Sequence, residues 1–154
     1  MIVTLPELKK AILVDKADRK TVAYTSGCFD LIHAGHIESL VDAKRFCDIL
    51  IVAVNSDASV KRLKGQSRPI NNERDRSFIV SNLKPVTYVI INESLNNNKL
   101  ISLLKPDVYV KSGEYRNKST SEPIVASYGG MTVYVPVIDG RSTTNIIERI
   151  KNAG

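Results

Sequence analysis

The run Thr21-Val22-Ala23-Tyr24-Thr25, then Ser26-Gly27-Cys28-Phe29-Asp30-Leu31-Ile32-His33-Ala34-Gly35-His36, then the amphipathic stretch Ile37 to Phe46, reads as a buried strand, a glycine-punctuated turn and a helix. Such a junction is a natural phosphate site. The first N–H groups of a helix have no partner within it, and the helix dipole puts partial positive charge at the same end. His33 and His36, the only histidines in the chain, stand three residues apart and share one face of the first helical turn. An imidazole N–H can stabilise charge on a phosphoryl group without becoming a covalent nucleophile. As a metal pair the two are poorly equipped, because no second carboxylate–histidine set accompanies them.

Strand and helix signals alternate along the rest of the chain. Ile49-Leu50-Ile51-Val52-Ala53-Val54 is continuously apolar, the pattern of a central parallel strand buried on both faces. Further strands are expected at 86–91, 107–110 and 132–135. Thr4-Leu5-Pro6-Glu7 has the pattern of a capping box and predicts a helix to about Ala17. A short basic helix and loop over about 58–69, and helices over 71–83, 99–104, up to Tyr128 and over 144–151, complete the series. This order predicts an α/β fold: a Rossmann-like doubly wound sheet of five parallel strands with helices on both faces, in a single domain spanning 1–154. Ligands of such sheets bind outside the carboxyl ends of the strands. The polar clusters Ser26 to His36, Asn55-Ser56-Asp57, Lys111 to Tyr115 and Asp139 to Thr144 all fall at such ends.

The 154 residues carry a formal charge of +6, concentrated at Lys61-Arg62-Leu63-Lys64 with Arg68, at Arg74 and Arg76, and at Lys111, Arg116 and Lys118. A solvated basic surface, a nucleic-acid face and a pocket for small phosphorylated substrates all fit that charge. Aromatics are only 6% of residues and do not interleave with the basic run, which argues against nucleic acid as a partner. No apolar run approaches the roughly 20 residues of a membrane span. The first residues lack the basic and then apolar regions of a secretory signal, so a cytoplasmic protein with no membrane partner is expected. Cys28 and Cys47 have no metal spacing and read as free thiols. Neither a G-x-G-x-x-G nor a P-loop nor a serine nucleophile elbow occurs.

Gly27-Cys28-Phe29-Asp30 with His33-Ala34-Gly35-His36 resembles the cytidylyltransferase-like nucleotidyltransferases, marked by H-x-G-H after a first strand. Asn55 to Gly65, Arg68-Pro69-Ile70-Asn71, Val110 to Tyr115 and Asp139 to Ile147 resemble, within them, the adenylyltransferase domain of bacterial ADP-heptose synthases. That domain is usually fused to a sugar kinase. The resemblance covers residues 5–151 and implies transfer of AMP from ATP to D-glycero-D-manno-heptose 1-phosphate, with release of pyrophosphate and without a covalent intermediate. It implies Mg²⁺ as cofactor. It implies that His33 and His36 contact the triphosphate, with Lys61 and Lys64 reaching the phosphates from a mobile basic segment. Gly27, Cys28, Phe29 and Gly35 would approach the nucleotide, Asp30 would orient Mg²⁺, and Arg76 would help hold the site. Ser142, Thr143 and Thr144 would hold a phosphate group at the last helix. Asp57, Lys111 and Glu114 would face the acceptor or the nucleotide. The family often forms homodimers, so a homodimer is expected. Heptose enzymes usually have glycine where this chain has Ser112 and aspartate where it has Glu114. That leaves a CTP-dependent enzyme acting on glycerol 3-phosphate, or a binding module without catalysis, as the other readings.

Overall fold

The computed structural model describes residues 1–116, 118–136 and 140–153. Five parallel strands form one sheet in the order β3-β2-β1-β4-β5: β1 (Val22–Gly27), β2 (Ile49–Asn55), β3 (Tyr88–Asn92), β4 (Val108–Ser112) and β5 (Met131–Val135). The expected doubly wound architecture is present, with each strand within a residue or two of its expected place.

The apolar run 49–54 shows why the fold is layered. Its alternate residues Ile49, Ile51 and Ala53 join one core cluster and Leu50, Val52 and Val54 the other. The first cluster is closed by Leu8 and Ile12 of α1 (Leu5–Ala17), by Leu100, Ile101 and Leu104 of α5 (Asn98–Leu104), and by Val125 of α6 (Glu122–Ser127). Leu40 and Ala43 of α2 (Ala34–Lys44) and Val80 of α4 (Glu73–Ser81) close the second. α3 (Asp57–Lys64) leads out of β2, and α7 (Thr143–Asn152) comes last. Thr4 starts α1 as expected: its amide and hydroxyl both donate to Glu7 Oε2 at 2.7 Å.

One pairing lacks a sequence signal. Val3 N–H donates to the Val89 carbonyl and Val89 N–H to the Met1 carbonyl, so the first three residues line the outer edge of β3. This covers backbone groups that an edge strand otherwise exposes.

The strand order reverses between β1 and β4, so the chain turns toward opposite sides of the sheet at their carboxyl ends. That is the switch point at which open α/β sheets bind ligands. The turn 27–36 leaves β1 directly into this crevice.

Candidate active site

Phe29 shapes the turn. Its φ is +48°, in the left-handed region unusual for a bulky residue, and its ring is buried in the core cluster under α2. The ring folds back over Gly27, where an added Cβ would stand 2.9 Å from Phe29 Cε2. The glycine therefore makes room for a ring of this chain. Gly35 does the same for His33, whose Cε1 and Nδ1 would lie 3.1 Å from a Cβ there. With both glycines in place the rings of His33 and His36 stack, centroids 3.8 Å apart and planes 26° apart, and His36 lies 5.2 Å from the Phe29 ring.

His33 is the N-cap residue of α2 but its side chain does not cap the helix, and His36 sits within the first turn. The Nδ1 atoms of both imidazoles are buried and have no hydrogen-bond partner among the described residues. A buried polar atom without a partner costs about 1–3 kcal/mol, a cost that a bound ligand would remove. Burial, and then neighbouring His33, push the His36 imidazole down to about 4. Burial, and then Arg141, lower His33. Both rings are therefore neutral near pH 7.

This has a consequence for stability. The unfolded imidazole titrates near 6.5, so between about pH 6.5 and 4 the unfolded chain binds a proton that folded His36 refuses. Stability should fall as the pH drops through that window and level off below it, by about 3 kcal/mol for a shift of this size. Urea unfolding at pH 7 and pH 4 measures the effect. The His36→Asn variant should lose less over the same interval, and an equal loss in both proteins would contradict the assignment.

Behind the turn lies a clamp of buried charge. Arg76 is fully buried. Its Nε donates to the Asn71 carbonyl at 2.9 Å, its Nη1 to the Cys28 carbonyl and its Nη2 to Asp57 Oδ1 at 2.7 Å. Glu73 Oε2 accepts from the Asp57 amide at 2.7 Å. Arg76 thus ties the phosphate turn, the start of α3 and the loop before α4 together. It holds the site from within, the part the resemblance implied for it, and although it is grouped with the nucleotide-binding residues, its guanidinium is engaged by this chain.

The role expected of Asp30 is corrected. It is 1% exposed, and its carboxylate accepts from Arg68 Nε and from the amides of Ile70 (2.8 Å) and Asn71 (3.0 Å). With both oxygens engaged by this chain, Asp30 does not fit a metal-ligand role, and it anchors the loop 68–71 instead. No group of three or more His, Cys, Asp and Glu side chains suited to a metal occurs among the described residues. Asp30→Asn should therefore cost on the order of 2 kcal/mol of stability and weaken nucleotide binding. Thermal unfolding together with activity at rising Mg²⁺ checks this. Recovery of full activity at high Mg²⁺ would restore the metal reading.

Lys61 and Lys64 stand exposed on the last turn of α3, and no hydrogen bond or ion pair joins them to the histidines. Ser142 uses its hydroxyl to cap α7, accepting from the Asn145 amide at 3.1 Å. Thr143 Oγ1 donates to the Leu31 carbonyl at 3.2 Å and ties α7 to the turn, while Thr144 is exposed. Asp139, named with this cluster, lies outside the described residues. Lys111 Nζ sits 4.3 Å from the Tyr115 ring centroid and 5.8 Å from that of Tyr109, and Glu114 is exposed beside it. Cys28 is half-buried, its Sγ 3.7 Å from Asn55 Nδ2. Sequence reasoning passed over Arg68 and Asn71, the partners of Asp30. It also passed over Arg141, whose Cβ lies 3.4 Å from where a Cβ on Gly35 would be. All three lie inside stretches whose pattern had already stood out, and only their contacts were hidden.

The turn, the histidine pair and the switch point form a candidate nucleotide site. A family profile described as cytidylyltransferase-like matches residues 24–149, and the chain belongs to that family of enzymes. It is 44% identical over 144 residues to the bifunctional protein HldE of Syntrophotalea carbinolica, covering 93% of this chain and 29% of that one. It is 44% identical over 153 residues to the bifunctional protein HldE of Geobacter metallireducens, covering 99% and 31%. The chain thus spans less than a third of the length of these relatives. Among solved structures, the lipopolysaccharide core biosynthesis protein from Thermoplasma volcanium matches with a TM-score of 0.61 at 27% identity, over 77% of this chain and 97% of that one. Pantothenate synthetase from Thermus thermophilus matches with a TM-score of 0.68 at 16% identity, over 99% and 70%, a likeness of fold alone. No helix among the described residues is long and apolar enough to cross a membrane.

Proposed function

We propose that residues 1–154 act as one nucleotidyltransferase domain that moves AMP from ATP to D-glycero-D-manno-heptose 1-phosphate, yielding ADP-heptose and pyrophosphate in the cytoplasm. The transfer reading is carried by the stacked His33–His36 pair, with both Nδ1 atoms buried and unpartnered at the switch point. The heptose reading is supported by the similarity to HldE proteins over nearly the whole of this chain.

In this reaction an oxygen of the heptose phosphate attacks the α-phosphorus in line. The bond from that phosphorus to the bridging oxygen breaks, and pyrophosphate leaves with the electron pair. Because the displacement is single, Cys28 needs no nucleophilic role. Catalysis then rests on position and on charge stabilisation. A neutral imidazole offers an N–H to a phosphate oxygen without first having to lose a proton. Such a donor, fixed before the reaction and half-shielded from water, does not have to reorganise as charge develops. Lys61 and Lys64 supply positive charge to the departing pyrophosphate from α3. The triphosphate would bring any Mg²⁺ as its own counter-ion, since the Asp30 carboxylate is already engaged by this chain. Asp57, Lys111 and Glu114 border the acceptor. A homodimer belongs to the same reading and is checked by sedimentation.

Pyrophosphate release, measured with Mg²⁺ and each of the four nucleoside triphosphates against heptose 1-phosphate and glycerol 3-phosphate, tests the proposal. Turnover is expected with ATP and the heptose phosphate. Release confined to CTP with glycerol 3-phosphate would replace it with the cytidylyltransferase reading. Oligonucleotide binding without any turnover would replace it with a binding module.

A further inference from the structure

β1 and β4 pair only at Ala23↔Val108 and Tyr24↔Tyr109, although β1 continues to Gly27 and β4 to Ser112. Beyond that pair the two strands part, beside the phosphate turn. The side chain of Asn97, just before α5, joins them there. Its Nδ2 donates to Ser26 Oγ at 2.8 Å and to the Tyr109 hydroxyl at 3.3 Å. Its Oδ1 accepts from the Tyr24 hydroxyl at 2.9 Å and from Asn92 Nδ2 at 3.3 Å. The amide is thus fully used.

The orientation of this amide follows from the backbone. Asn92 Oδ1 must be the oxygen, because the Ser94 N–H donates to it at 3.1 Å. Asn92 Nδ2 then donates to the Asn96 carbonyl at 3.2 Å and meets Asn97 at its oxygen. Asn97 can therefore face Ser26 only with its NH₂ group, and Ser26 can only accept from it. The Ser26 proton is left pointing elsewhere, and no acceptor for it exists among the described residues. Ser26 is half-buried, at the mouth of the crevice.

Lys111 lies two residues beyond Tyr109, on the same face of β4, with its ammonium held against the Tyr109 and Tyr115 rings. No carboxylate pairs with it among the described residues. A hydroxyl donor and an ammonium, neither with an acidic partner, thus stand on one side of the sheet and are linked through Tyr109, whose hydroxyl accepts from Asn97 and whose ring faces Lys111, and that set favours an anion. They stand on the side of the sheet covered by α1 and α5. Phe29, which packs against His36, belongs to the cluster on the α2 side.

We infer that Ser26 and Lys111, set by Asn97 as a positioning residue, form the subsite for the phosphate of the acceptor substrate, on the opposite side of the crevice from the histidines that take the triphosphate. The inference rests on the proposed nucleotidyl transfer to a phosphorylated acceptor and assigns the acceptor its half of the site.

Calorimetric titration of the whole chain with Mg²⁺ and α,β-methylene-ATP, and then with heptose 1-phosphate or glycerol 3-phosphate, tests it. Ser26→Ala should weaken the acceptor phosphate about tenfold, as the loss of one hydrogen bond to a charged group does, and leave the nucleotide within twofold. Ser26→Thr should restore most of the affinity. Asn97→Asp, which turns the Ser26 proton inward and adds negative charge, should weaken the acceptor at least as much as Ser26→Ala. Unchanged acceptor affinity in Ser26→Ala, or a loss falling on the nucleotide instead, would overturn the inference while leaving the proposed reaction standing. If wild-type protein binds glycerol 3-phosphate and not the heptose phosphate, the heptose reading fails. The subsite then stands if Ser26→Ala weakens glycerol 3-phosphate and falls if it does not.

Discussion

Replacing His36 by alanine should lower kcat by about 10²–10³ and leave the KM for ATP within a few-fold, the effect of removing one donor aimed at developing charge. Two features make His36 the more sensitive of the pair. It lies within the first turn of α2, where the helix fixes its direction, and it packs against both Phe29 and His33. Its imidazole pKa is held at about 4, so it is neutral near pH 7. Its Nδ1, like that of His33, is buried without a partner among the described residues. Steady-state kinetics with saturating acceptor reads the effect. A variant within twofold of wild type would remove His36 from the chemistry. A large rise in KM at constant kcat would make it a ground-state contact only.

Arg76→Met should destabilise the fold by about 3–5 kcal/mol, the cost of breaking a buried ion pair from one side. For a chain of this size that lowers the melting temperature by on the order of 10 °C. Methionine keeps the length of the side chain but satisfies none of the three acceptors that the guanidinium serves. The Cys28 and Asn71 carbonyls lose their donor, and Asp57, with 31% of its side chain exposed, turns to solvent. Arg76→Lys should recover little, because one ammonium cannot span three directions fixed by a planar fork. Thermal unfolding measures both variants, and a change below about 1 kcal/mol in Arg76→Met would mean that the clamp is dispensable. Activity should fall alongside stability, since the phosphate turn hangs from the same arginine.

The strands were legible because parallel strands buried on both faces leave a signal that survives without context. The run 49–54 is apolar at every position since each face has its own core cluster. The start of α2 was less legible. The amphipathic run pointed to Ile37 while the helix begins at Ala34; His36 falls in its first turn, where it was expected, and His33 on its cap. Asp30 shows where carrying a role over from a resemblance, residue by residue, falls short. The family resemblance implied a part in orienting Mg²⁺, but its partners lie 38 to 41 residues further on and no local pattern reveals them. The edge pairing of Met1 and Val3 with Val89 is hidden for the same reason. Ser26 and Asn97 are commonplace polar residues in sequence, and only the parting of β1 from β4 gives them a task.

The most direct measurement follows the label from ATP carrying ³²P at the α-phosphate, incubated with Mg²⁺, heptose 1-phosphate and the protein. The label should appear in ADP-heptose with unlabelled pyrophosphate released, and its transfer should slow at least a hundredfold in His36→Ala. Label that stays in ATP while labelled CTP passes to glycerol 3-phosphate, or transfer at the wild-type rate in His36→Ala, would contradict the reaction or the role of the histidine pair respectively.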